Sequence, residues 1–155
     1  FMPFITEEMW DKIDSINMSQ IKRKLMLAEP IGDGLSEKDA DLAILWYRRY
    51  LKLYAKYPSQ QLVPSMFIDK VWHRHILDTR AYRRDCIHMF GNMLHHNPYF
   101  GMNDDEEQRN AAFAAMDELY IAEFGESSRV AAQFTSLASM CNGGGCDNCG
   151  PCDNN

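Results

Sequence analysis

Between Ser36 and Tyr57 the apolar residues Leu42, Leu45, Trp46, Leu53, Tyr54 and Tyr57 recur three, four and seven positions apart. That spacing gathers side chains on one face of an α-helix and scatters them over both faces of a strand. The same rhythm returns along most of the chain. Met9, Trp10, Ile13 and Ile16 carry it near the start, Ile21, Leu25 and Met26 follow, and Phe113, Met116, Leu119, Tyr120 and Phe124 carry it late. Valine and isoleucine are too sparse, and strict alternation too rare, for a sheet. The expected fold is all-α: a compact single-domain bundle of about five to six helices, followed by a Gly/Cys-rich C-terminal tail. The division expected is a helical domain over 1–139 and a tail over 140–155.

Local signals place the helix ends. Thr6-Glu7-Glu8 reads as a first helix start, and Ser36 with Asp39 as a capping box opening the long helix to Tyr57. Pro58 and Pro64 bracket a loop, after which Ser65 is placed to cap a helix bearing Phe67, Ile68, Val71, Trp72 and His75. Asp78 or Thr79 is placed to cap the next, with Tyr82, Cys86, Met89, Phe90 and Met93. Whether these two are one helix is left open by the pattern. Asp104 with Glu107 suggests a further capping box, and Gly125 a stop. A short amphipathic piece with Val130, Phe134 and Leu137 leads into the tail.

Charge narrows the partners. The chain has 155 residues with a net charge of −6, which argues against a nucleic-acid partner, since a phosphate backbone needs a basic face. Arg80, Arg83 and Arg84 fit a solvated helix face. No apolar run reaches the ~18 residues of a membrane span, and Phe1–Glu8 has neither the basic region nor the apolar segment of a secretory leader. The expected compartment is the cytoplasm, with no membrane partner. A protein partner or a homo-oligomer fits the ten methionines and many aromatics.

All five histidines lie between His73 and His96: His73, His75, His88, His95 and His96. On regular helix His73 and His75 point apart, since positions i and i+2 do not share a face. His75 falls on the apolar side, with Asp78 and Tyr82 next along it. His73 lies one turn after Asp69, where a carboxylate can orient an imidazole. A buried imidazole must be hydrogen-bonded or metal-bound. Imidazoles with carboxylates suit Zn or Fe, or general acid–base chemistry. The candidate catalytic residues are therefore His73, His75, Asp78, Tyr82 and Asp85, and the candidate metal ligands in this region are His73, His75, His95 and His96. The competing reading is a satisfied core histidine at His75, with His95 and His96 capping the loop before Pro98.

The run from Asp69 to Asp85 reads D-K-V-W-H-R-H-I-L-D-T-R-A-Y-R-R-D. It is followed by Cys86, Phe90-Gly91, Leu94-His95-His96 and P-Y-F-G from Pro98 to Gly101. This pattern resembles the core of the glycine-rich-domain-containing-protein-like family, which centres on a W-H-x-H segment followed by a tyrosine and an acidic residue. The likeness spans roughly residues 40 to 125. It implies an all-helical domain, often continued by a Gly-rich or Gly/Cys-rich tail. It marks Trp72, His73, His75, Tyr82 and Asp85 as motif positions.

The tail holds Cys141, Cys146, Cys149 and Cys152 in the spacing C-x4-C-x2-C-x2-C. Thiolates so spaced, among glycines, can hold Zn or a small iron–sulfur cluster. The alternatives are disulfides and a flexible polar tail with loose thiols. A mixed site, with the tail against the histidines, is a further possibility.

Three functions follow. One is a metal-binding helical protein with a His/Asp site in its core, acting as a metal-dependent enzyme on an unidentified small molecule, plus a metal-binding tail. Another is an interaction or scaffold module held by a structural His/Asp network. The last is a metal or redox carrier working through the tail alone.

Overall fold

The structure, a computed structural model, describes residues 3–128. The four tail cysteines, the piece with Val130, Phe134 and Leu137, and the boundary at 139/140 lie outside the described residues. Within them are six helices and no strand: α1 (Pro3–Ser15), α2 (Ser19–Met26), α3 (Glu37–Lys56), α4 (Met66–Leu77), α5 (Thr79–Phe90) and α6 (Glu106–Phe124). They form a compact bundle, as the helical periodicity predicts.

The long helix α3 is the axis of this bundle. Helices α1, α2, α4 and α6 all pack against it, and α5 packs on α1 and α4. The expected face of α3 holds in part: Trp46 and Leu53 are buried, and Leu42, Tyr54 and Tyr57 are partly buried against the core, but Leu45 is exposed, and Ala40, Ala43, Tyr47, Tyr50 and Leu51 are buried besides. A helix surrounded by four others has no single apolar stripe, so a one-face reading takes in only part of it. Helix α1 is fastened to this axis by polar groups as well as packing. The Trp10 indole donates to the Lys52 carbonyl at 3.0 Å, and the Arg48 guanidinium donates to the carbonyls of Ile13 and Ile16, the latter at 2.8 Å. These carbonyls close α1, where the helix itself leaves acceptors unpaired.

The caps follow the sequence in part. Ser36 Oγ accepts from the Asp39 amide at 3.1 Å, as a capping residue should. Asp78 ends α4 and starts α5, its carboxylate accepting from the Ala81 amide at 3.2 Å, so the two helices are separate. Ser65 occupies the cap position of α4 without a side-chain bond. The Asp104–Glu107 box is not formed. Helix α6 begins at Glu106, and Asp105 instead accepts from the amides of Gly101 and Asn103. Gly125 ends α6 in the left-handed conformation, φ 78°. Gly91 does the same for α5 at φ 74°, turning the chain into the loop that carries His95 and His96 back toward α4.

Candidate metal centre

Helix α4 separates the histidine window into two places. Its inward side carries Ile68, Val71, Trp72 and His75, all buried. Asp69 and His73, one turn apart, lie toward solvent, with side chains 32% and 52% exposed. The 200° between His73 and His75 that a helix imposes sends one imidazole out and the other in.

The inner place is a closed polar chain. The His75 side chain is 1% exposed. Its Nε2 lies 2.9 Å from Asp85 Oδ2 and its Nδ1 2.8 Å from the Tyr47 hydroxyl. A carboxylate accepts only, so Nε2 carries the hydrogen and Nδ1 accepts from Tyr47. The other oxygen of Asp85 accepts from Arg84 Nε at 3.1 Å. Burial, opposed by the Asp85 hydrogen bond, holds His75 below its ordinary value and so neutral. Burial also pushes the Tyr47 hydroxyl well up. Both imidazole nitrogens are engaged, which is the arrangement of a structural network.

The outer place draws three ligand atoms together. His96 Nε2 is 2.8 Å from Asp69 Oδ1 and 2.9 Å from His73 Nε2, and His73 Nε2 is 3.3 Å from Asp69 Oδ2. The two imidazole rings lie 22° from parallel with centroids 4.9 Å apart, farther than their nitrogens, so the nitrogens face each other. Among the described residues, Asp69, His73 and His96 form a group able to hold a metal ion.

The group can be held by hydrogen bonds or by a shared cation. One imidazole nitrogen offers a single in-plane hydrogen or lone pair. His96 Nε2 has two close partners, a carboxylate oxygen and a second imidazole nitrogen. With both rings neutral, the His96 Nε2 hydrogen goes to Asp69 or is shared between Asp69 and His73. A cation at the common point satisfies all three groups at once. Ligand atoms about 2.1 Å from one ion stand about 3.0 Å apart at right angles and about 3.4 Å apart at tetrahedral angles. The separations of His96 Nε2 from His73 Nε2 and Asp69 Oδ1, 2.9 and 2.8 Å, and of His73 Nε2 from the other Asp69 oxygen, 3.3 Å, lie in the range of neighbouring ligands of one ion.

The remaining sequence candidates fall elsewhere. His75 is expected as a ligand but faces the core, for the helical reason already given. His95 is exposed and takes no part in the group. Its neighbour His96 is turned inward, with its side chain 16% exposed. His88 is exposed and 3.5 Å from Ser15 Oγ. Asp78 caps α5 and acts on His75 only as a nearby charge. Tyr82 is buried between them, its ring edge-on to His75 at 4.9 Å and its hydroxyl accepting from Trp72 Nε1 at 2.9 Å. Asp69 is the member that the candidate ligand set leaves out. Its signal is the D-x-x-x-H spacing, here read as an orienting pair rather than as two ligands. Tyr47 has no local signal, since it meets His75 only through the packing of α3 on α4.

The fold and site together define a small all-α protein with a two-histidine, one-carboxylate group on the edge of its bundle. The chain belongs to the UCP032817-like family, whose model matches residues 12–121. That match takes in all three members of the group and ends before the tail. No curated protein and no solved structure matches the chain.

Proposed function

We propose that this is a metal-binding protein in which Asp69, His73 and His96 hold one divalent transition-metal ion, and that it acts as a metal-dependent enzyme. The observation that carries the reading is the convergence of Asp69, His73 and His96, whose ligand atoms all lie close to one another. Two imidazoles and a carboxylate suit Fe or Zn. Three protein ligands, one of them half exposed, leave positions toward solvent for water or a substrate. A metal so held supplies Lewis-acid activation of a bound oxygen. The chain's own part is to fix the three ligand atoms and to keep one side open.

His75, Asp85 and Tyr47 belong in this reading to the scaffold rather than to the reaction. Their complete set of hydrogen bonds favours that assignment. The tail cysteines are a separate metal site in the same proposal, supported by their spacing alone. Kinship with the glycine-rich-domain-containing-protein-like family is likewise proposed, supported by the W-H-x-H segment. So is the absence of a nucleic-acid partner, supported by the net charge of −6.

The test is metal content by elemental analysis, on protein purified without tag or chelator. Asp69→Asn and His96→Ala should each lower it by about one equivalent per chain, and His75→Asn should not. Equal content in all four proteins would refute the assignment.

A further inference from the structure

A ligand on a loop needs something to aim it. His73 and Asp69 are aimed by helix α4, but His96 sits five residues past the Gly91 turn in a stretch without regular structure. The structure provides a closed circuit around it. The His96 ring stacks on the Trp72 indole, with centroids 4.3 Å apart and planes 16° from parallel. The Trp72 indole nitrogen donates to the Tyr82 hydroxyl at 2.9 Å. The Tyr82 hydroxyl in turn donates to the carbonyl of Leu94, two residues before His96. Trp72, Tyr82 and Leu94 are all buried.

From this circuit we infer that Tyr82 is a positioning residue for His96, and that Trp72 is the shelf on which the imidazole is set. One hydroxyl fixes two things at once. It holds the indole in plane beneath the imidazole, and it fixes the backbone from which the imidazole projects. Helix α5 thereby sets the third ligand against the two on α4, although α5 contributes no ligand of its own. Outer-shell partners of this kind orient ligands and tune affinity. The Tyr82 hydroxyl bonds to Trp72 and Leu94, so its influence on the metal runs through His96.

The affinity test rests on the metal reading above; a second readout does not. Both use the full chain with Cys141, Cys146, Cys149 and Cys152 each replaced by Ser, and Co²⁺ as the probe. Tyr82→Phe keeps the ring and removes the hydroxyl. It should weaken Co²⁺ binding roughly 10–100-fold. In a His96→Ala background the same change should alter affinity less than about threefold. A general loosening of the fold would instead weaken both backgrounds alike, and would overturn the inference. Trp72→Phe, which keeps a stacking ring without the donor, should follow Tyr82→Phe if that variant folds poorly.

The metal-free readout is the NMR shift of the His96 ring protons, which the indole face displaces upfield. Tyr82→Phe should move them back toward ordinary values. Unchanged shifts would overturn the inference. If the parent chain takes up no Co²⁺, the metal reading falls, and these shifts alone decide whether Tyr82 sets His96.

Discussion

His73 Nε2 and His96 Nε2 lie 2.9 Å apart, although 23 positions and the whole of α5 separate them in the chain. Asp69 reaches both nitrogens with its carboxylate. The pairing depends on two turns: the break at Asp78, which folds α5 back against α4, and the left-handed Gly91, which returns the loop. The convergence therefore belongs to the fold and not to a short motif.

Removing a ligand should cost more than removing an outer-shell partner. Asp69→Asn keeps size and polarity but loses the negative charge. Its Co²⁺ affinity, measured by titration of the visible absorption, should fall beyond the 10–100-fold typical of outer-shell changes. A fall of only a fewfold would make Asp69 an orienting group rather than a ligand.

The inner network should report on stability and not on metal. His75→Ala leaves a cavity and deprives the buried Asp85 of its main partner. Together these should cost about 3 kcal/mol, or roughly 10 °C in Tm for a chain of this size. An unchanged melting temperature by circular dichroism would show that the network is not structural.

Stability of the metal-free protein should fall on mild acidification. Burial holds His75 below its ordinary value of 6.5 in the folded chain. The unfolded chain binds that proton more readily, so the contribution is full above pH 6.5 and is lost as pH falls from there through the folded value. Urea unfolding in chelator should show stability falling as pH drops below 6.5. NMR should show the His75 ring titrating below the ordinary value of 6.5. A ring titrating at or above 6.5 would contradict the account.

Cys86 should be silent toward alkylation. It is fully buried, and burial raises its thiol, so the reactive thiolate is scarce. Peptide mapping after iodoacetamide at about pH 8 should find Cys86 free in the folded chain and modified in urea. Rapid modification without urea would mean that α5 opens readily.

Much of this fold is legible in sequence because helical periodicity and caps are local. The Ser36–Asp39 cap and the stop at Gly125 each depend on a few adjacent residues, whereas the pattern leaves open the break between α4 and α5 at Asp78. The full buried surface of α3 is not legible in the same way, because four neighbouring helices set it, and two of them, α1 and α6, are not adjacent to it in the chain. The site divides along the same line. The opposed directions of His73 and His75 follow from helix geometry alone. The choice of His96 over His95 depends on a loop held by Tyr82 and Trp72, and the Tyr47 partner of His75 comes from another helix. Asp69 stands between the two cases: its spacing to His73 is visible, and its role as a third ligand emerges only when His96 arrives.

The most direct measurement is the metal content of the full chain with its four tail cysteines replaced by serine, beside the same chain carrying His96→Ala. The account predicts close to one equivalent of a transition metal in the first and almost none in the second. No metal in either, with the helical circular-dichroism spectrum intact, would contradict it and leave Asp69, His73 and His96 as a hydrogen-bonded surface cluster.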